Sequence, residues 1–543
     1  MAIYNMESLS SPRELGDFIS CERRRLMDSI GSLGGLGFMQ AHSDLIDLAI
    51  QRISTLALGE TLPSIPDNVC VAATGGYGRQ ELAPHSDVDI IFLTANEDDP
   101  QVDSFVKCAY RLLMDTFLDG TGLKVGYSYR QIGDWRDLPL DTQTALLDAR
   151  LIAGSAELFG RFSKAVRGSV AQAAFVIGHM NERARVRGRW GDSPFRVEPN
   201  IKEGPGGLRD FQTSRWLAQV ALGDMKSVAS EREINLLEGA AEFLARVRAA
   251  LHVASGRGND VLSVDRREEV AQALGYGQGP QALMSEYYAH AERIAAMYFR
   301  VSDACLDMPL QIEPGIVAQR GRVYITDQDL LLRDSEAVVR VFGHCVPLGL
   351  ELSGRTSGVL QSHISVRKAK PAAGRSVYRA FAELLPLPNA GRAVRLMADA
   401  GILQWLIPEW GAATHQAAND GAHELTIGAH SLKAVELMER FRNGEDADLR
   451  GAWAGVSDPG VLLLASLLHD TGKMQDKTSH CEAGARISSR IAERLGFRSD
   501  SIRTLEFLVR NHLVMAETAR LRDLSDQRTV QDFVGTIDSL ESS

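Results

Sequence analysis

Asp87 and Asp89 are separated by one apolar residue, Val88, and the run Asp87-Val88-Asp89-Ile90-Ile91-Phe92-Leu93 alternates as a strand does. Residues i and i+2 of a strand point to one face, so the two carboxylates aim the same way. Side by side they raise each other's proton affinity, a penalty that a divalent cation removes. Hard oxygen ligands suit Mg²⁺, which takes one or two protein carboxylates together with substrate phosphates. Just upstream, after the strand-like run Asn68-Val69-Cys70-Val71-Ala72-Ala73, stands the turn Gly75-Gly76-Tyr77-Gly78-Arg79. Its glycines let a backbone approach a triphosphate with no side chain in the way. These are the parts for in-line attack at a nucleotide α-phosphate.

A glycine turn or an Asp-x-Asp triplet alone is common on solvated strands. Joined through Ser86 between two strand-like runs, the pattern resembles the signature of the nucleotidyltransferase superfamily.

A second cluster begins near His423 and runs through His430, Leu467-Leu468-His469-Asp470-Thr471-Gly472-Lys473, His480 and Asn511-His512. The apolar run Val461 to Leu468 reads as a buried helix with His469-Asp470 at its end and Gly472 as its C-cap. A His-Asp pair there is costly to bury unless something ligates it. His512 falls at helical spacing with Leu505, Leu508 and Val509, which turns it inward. Each histidine alone reads as a satisfied core residue; together they favour a divalent-metal site of neutral imidazoles and a carboxylate. The cluster looks like an HD-type metal-dependent phosphohydrolase domain.

The elements that must position these residues are α+β and mostly helical. The 543 residues are too many for one core. Residues 1–66 read as a helical segment broken between Gly31 and Gly37. Residues 67–151 read as an α/β domain, with a helix through Val106 to Phe117 and a strand Leu123 to Tyr129. Residues 152–420 read as a helical middle domain, with a small irregular insertion around Gln311 to Val366, and 421–543 as an all-α end. The stretch Glu198-Pro199-Asn200-Ile201-Lys202-Glu203-Gly204-Pro205-Gly206-Gly207-Leu208-Arg209-Asp210 forbids a regular helix and serves equally as a structural turn or an anion contact.

A net charge of −11 argues against a broad nucleic-acid footprint. Six scattered cysteines without a CxxC pair fit a reducing cytoplasm, and no apolar run is long enough to span a bilayer. A soluble, cytoplasmic chain with no membrane partner is the expectation.

The order of these parts resembles the bifunctional uridylyltransferase/uridylyl-removing enzyme family that modifies the PII nitrogen-signalling protein. The likeness runs from about Ala72 to about Val534. It rests on Gly75 to Arg79 with Ser86 to Asp89, on the block Glu198 to Asp210, on Arg246-Val247-Arg248 with Leu251-His252, on Leu274-Gly275-Tyr276, on His469 to Lys473 and on Arg522-Asp523-Leu524-Ser525-Asp526. The resemblance implies a polymerase-β-like nucleotidyltransferase domain, the family's helical middle domain and an HD domain incomplete at its C-terminus.

It further implies that Asp87 and Asp89 hold Mg²⁺ for transfer of UMP from UTP to a PII tyrosine, with Gly75, Gly76, Arg79 and Ser86 at the nucleotide. His430, His469, Asp470, His480 and His512 would form the divalent-metal site that hydrolyses the UMP–tyrosine bond, with glutamine as regulator. Departures are visible. Tyr127-Ser128-Tyr129 offers no third carboxylate, leaving Asp119 as a poor substitute, and Gly428-Ala429 precede His430 where acidic residues are usual. The family's last HD aspartate and two ACT domains would lie beyond Ser543. Two competitors stand beside this reading: another HD-linked nucleotidyltransferase such as a tRNA nucleotidyltransferase, and a non-catalytic regulator that binds nucleotide or PII.

Overall fold

A computed structural model describes residues 6–59, 62–96, 98–133, 138–327, 329–367, 374–414, 416, 425–444, 446–474, 480–523 and 525–538. His423 lies outside them. The chain is α+β and mostly helical, and it divides into two units, Met1–Leu310 and Gln311–Ser543.

The first unit starts with helices Pro12–Asp28 and Gly35–Leu56. A capping box opens the former: Ser11 accepts from the Glu14 amide at 3.3 Å, and the Glu14 carboxylate accepts from the Ser11 amide at 3.2 Å. Then come β1 (Val69–Ala73), β2 (Val88–Thr94), β3 (Val125–Gln131) and β4 (Arg150–Gly154), arranged in one sheet as β3-β2-β1-β4. β1 runs antiparallel to β2 and β4, whereas β2 and β3 are parallel. A parallel pair needs a crossover, and helix Pro100–Met114 supplies it, ending in a π-helical turn Asp115–Asp119. The helix expected through Val106 to Phe117 thus begins earlier, where Asp99 caps it and Pro100 occupies its first position.

Alternation along the strands divides the core. Val69, Val71, Ala73, Ile90 and Phe92 join Phe38, Leu45, Ile46 and Ala49 of Gly35–Leu56. Cys70, Ala72, Ile91 and Leu93 join Leu158, Phe162 and Val166 of helix Ala156–Ser169. Asp89 shares the face of Ile91 and Leu93 and is solvent-exposed at the start of β2.

Helices Gln172–Trp190, Leu208–Leu217, Glu231–Ser255 and Pro280–Asp307 build the rest of this unit. The glycine block lies between the first and second of these helices as a tight turn before Leu208. Gly206 has φ +71°, and a Cβ there would lie 2.1 Å from the Ala291 carbonyl oxygen, so only glycine fits.

The second unit holds a four-stranded sheet, β5 (Leu310–Glu313), β6 (Ile316–Gln319), β7 (Arg322–Ile325) and β8 (Glu351–Leu352), paired in sequence order. Short β-branched runs that looked like an irregular insertion are therefore paired strands. Helices Ile427–Asn443, Pro459–Leu468, His480–Leu495 and Ser499–Arg510 carry the histidine cluster. Among the described residues, no single helix is long and apolar enough to cross a membrane.

Candidate active sites

In the first unit, Gly75 to Gly78 form one helical turn between β1 and β2. Gly75 has φ +56°, and a Cβ there would stand 4.0 Å from Asp89 Oδ2, which leaves the carboxylate open to that side. Gly75, Gly76, Arg79 and Asp89 line one cavity; Ser86 and Asp87 line a separate recess with Arg23, His85, Lys124 and Arg257. Desolvation first, and the neighbouring Asp87 charge second, push the Asp89 carboxyl above the ordinary aspartate range, while Lys202 pulls it back. The Asp87 charge thus contributes to the raised proton affinity of Asp89, behind burial. Asp87 directly precedes β2 and Asp89 is its second residue; an oxygen-only pair this close fits a hard divalent cation.

β3 adds no acid to this pair. The parallel register sets Asp89 beside Gly126, Ile91 beside Ser128 and Leu93 beside Arg130, so the β3 residues on this face are a glycine, a serine and an arginine. A Cβ on Gly126 would stand 2.2 Å from Asp89 Oδ1. Asp119 is exposed on the π-helical turn and is not among the residues lining the cavity.

The opposite wall is basic. Lys202, Arg209 and Arg248 line the cavity with Gln212 and Trp216. Burial, then the charges of Arg248 and Arg209, lower the Lys202 ammonium below its ordinary range. An anion placed among these three cations would relieve that strain. Arg79 is already committed: it pairs with Glu81 at 2.8 Å and with Asp148, and its guanidinium lies 5.4 Å over the Trp216 ring. Trp216 Nε1–H donates to Asp148 at 3.1 Å and Gln212 donates to Glu81 at 2.6 Å, so Arg79 ties the glycine turn to helix Leu208–Leu217.

In the second unit, His469 and Asp470 end helix Pro459–Leu468, and His430 sits in the first turns of Ile427–Asn443, whose N-terminus Thr426 caps. Asp470 is 2% exposed. His469 Nε2 lies 3.3 Å and His430 Nε2 3.9 Å from its Oδ2, and His512 Nε2 lies 3.6 Å from its Oδ1. Burial alone would raise the Asp470 carboxyl; hydrogen bonds from His469 and His512, and the Lys473 ammonium at 2.9 Å, hold it far below the ordinary range. The carbonyls of Ser466 and Val509 lie 2.9 and 2.7 Å from Nδ1 of His469 and His512. Those carbonyls engage the Nδ1 side of each ring, so Nε2 is the atom presented to Asp470 and, once relieved of the hydrogen it gives Asp470, to a metal. These residues fit a divalent cation.

Two local expectations differ. Gly472 lies in a 3₁₀ turn, Thr471–Met474, and its Cβ would meet the His480 carbonyl oxygen at 1.9 Å; it serves a close backbone approach, and His469 is the cap. His512 follows the end of Ser499–Arg510 and is aimed by its Nδ1 contact to Val509 rather than by a helical face.

Three family descriptions match the sequence: putative nucleotidyltransferase DUF294 over residues 36–123, GlnD PII-uridylyltransferase over 174–301, and HD domain over 427–541. A bifunctional uridylyltransferase/uridylyl-removing enzyme of Cereibacter sphaeroides is 31% identical across 93% of this chain and 58% of its own length. One from Ruegeria pomeroyi is 30% identical across 88% of this chain and 56% of its own length. Across most of its own length the chain is similar to bifunctional uridylyltransferase/uridylyl-removing enzymes.

It spans somewhat over half the length of these curated family members. Among solved structures, a tRNA-processing enzyme in its apo form is similar at TM-score 0.29 and 12% identity over 41% of this chain and 58% of that one. A CCA-adding enzyme with CTP reaches TM-score 0.26 at 9% identity over 97% and 85%. Nucleotidyltransferase and HD domains usually use divalent metals. Within the family frame, Lys202 and Arg209 had a partial sequence signal, charge set among glycines. Arg248 was marked only as part of a family-like stretch and Trp216 and Gln212 not at all, because only packing of the helical half against the sheet brings them to the cavity that Asp89 lines.

Proposed function

We propose that the first unit transfers UMP from UTP to a tyrosine hydroxyl of the PII protein. The tyrosine oxygen bonds to the α-phosphorus, the bond from that phosphorus to the β-phosphate oxygen breaks, and pyrophosphate leaves with the tyrosine proton passing to solvent. One observation carries the reading: Asp89 and three cations, Lys202, Arg209 and Arg248, line one cavity beside a side-chain-free glycine turn, with the Asp87 charge close enough to act on Asp89. Mg²⁺ held by Asp87 and Asp89 would neutralise phosphate charge there. Lys202, Arg209 and Arg248 bind the triphosphate, Gly75 and Gly76 give it room, and Arg79 keeps the glycine turn in place through Glu81 and Asp148. Ser86 flanks Asp87 and orients the turn, its amide donating to the Ala83 carbonyl at 3.1 Å.

In the second unit, His430, His469, Asp470, His480 and His512 would hold a divalent metal that supplies Lewis acidity to a phosphodiester, and the activity is hydrolysis of the UMP–tyrosine bond. Lys473 balances the Asp470 charge, and the Ser466 and Val509 carbonyls orient two of the rings. Both activities belong in the cytoplasm, where UTP and PII meet.

Purified PII, labelled UTP and Mg²⁺ test the transferase. Wild type is expected to label PII, and Asp87→Asn and Asp89→Asn each to lose about two orders of magnitude or more. Full activity in both variants overturns the assignment. The absence of an acid from the β3 face favours one second reading, a regulator that binds nucleotide without chemistry. It gains if Mg²⁺ and UTP raise the melting temperature while no label reaches PII.

A further inference from the structure

Cys481 stands inside the histidine cluster. Its Sγ lies 3.6 Å from His480 Nε2 and 3.9 Å from His512 Nδ1, and one ligand atom from each of the three residues falls within 4.8 Å of the others. A separate group, His430, His469 and Asp470, meets the same geometric condition using nitrogen and oxygen only. A tetrahedral zinc ion with sulfur at about 2.3 Å and nitrogen at about 2.1 Å holds those two ligands roughly 3.6 Å apart. The Cys481–His480 separation has that length before any ion is added.

We infer that the cluster contains two metal subsites of different chemistry, and that His480, Cys481 and His512 form a sulfur-bearing one selective for zinc. The inference rests on the reading of this cluster as a metal centre, not on which bond it cleaves. Thiolate ligands select zinc over magnesium and manganese, whereas imidazole with carboxylate accepts the harder ions as well. Three protein ligands leave a fourth position open, the arrangement of catalytic rather than structural zinc. His512 joins the subsites through Nε2, which lies 3.6 Å from Asp470 Oδ1, while its Nδ1 stays on the Val509 carbonyl at 2.7 Å. Occupation of the sulfur subsite converts the Cys481 thiol to thiolate, with its proton released to solvent.

The full chain, reduced and stripped of metal by a chelator, is titrated with Co²⁺ under nitrogen. Wild type is expected to show a near-ultraviolet thiolate-to-cobalt charge-transfer band together with visible d–d bands. Cys481→Ser is expected to lose the first and keep the second, which also reports that it has folded. Zn²⁺ is expected to slow iodoacetamide alkylation of Cys481, followed by peptide mass spectrometry, by about tenfold or more. Wild-type d–d bands with no charge-transfer band, and alkylation indifferent to Zn²⁺, overturn the sulfur subsite while leaving the metal centre intact. Failure to bind Co²⁺ at all overturns both.

Discussion

At Gly126 a single methyl group reports on the acid pair. A Cβ there would press on Asp89 Oδ1 from 2.2 Å, and the side chain is at a sheet position that tolerates alanine in every other respect. Gly126→Ala is expected to cut the transfer rate by about a hundredfold, the cost of an ångström-scale misplacement, with little change in melting temperature. An unaltered rate would mean that Asp89 does not need its present position. His42 makes a second residue-scale prediction. It is fully buried, its Nδ1 lies 3.0 Å from the Leu82 carbonyl, and its Nε2 accepts from Arg23 Nε at 3.2 Å. Burial, then the Arg23 charge, lower its pKa from 6.5 to about 3. The unfolded chain therefore binds this proton first as pH falls, so stability is intact above about 6.5 and is lost below it. Between pH 7 and pH 5 the loss is about 2 kcal/mol. Urea unfolding at both pH values should show this drop in wild type and not in His42→Gln; equal drops would refute it. Sequence made the Asp87–Asp89 pair legible because period two is a local rule. Gly126 was mute, since its role exists only once the β2–β3 register is set.

The element that most shapes the cleft is the glycine block and the helix it opens. Asp210 is 0% exposed and pairs with Arg183 at 2.8 Å and Arg187 at 3.0 Å, while its Oδ2 accepts from the Gly206 amide at 2.8 Å. Asp210→Ala would strip the carboxylate from buried Arg187 and leave Arg183 with Glu203 alone, at a cost of roughly 3–5 kcal/mol. Chemical denaturation checks this, and a loss below about 1 kcal/mol would contradict the anchoring role. Composition alone showed that this block could not be helix; the role as a structural turn is seen in the Asp210 contacts, while Lys202 and Arg209 line the cavity in which an anion contact is proposed. Dividing charges between those tasks needs contacts from helices Gln172–Trp190 and Glu231–Ser255, which no local pattern records. Gly472 misled for the same reason, because its partner, the His480 carbonyl, arrives from the next helix. The short strands β5 to β8 were hidden by their length, as four residues seldom complete an alternation.

For the whole molecule, the acid-pair cleft is built by residues of the first unit and the histidine cluster by residues of the second. The two proposed chemistries should therefore separate by mutation. Asp89→Asn is expected to abolish labelling of PII and leave removal of UMP from pre-labelled PII within about twofold of wild type, whereas His469→Ala does the reverse. Loss of both activities in either variant would argue for one shared site. The claim beneath all of this is that the first unit cleaves UTP at its α-phosphorus and delivers that phosphorus to protein. Parallel incubations of wild type and PII with α-labelled and γ-labelled UTP read the broken bond directly. The α-label is predicted on PII and the γ-label in free pyrophosphate. Label on PII from the γ-position, or none from the α-position, would contradict the account.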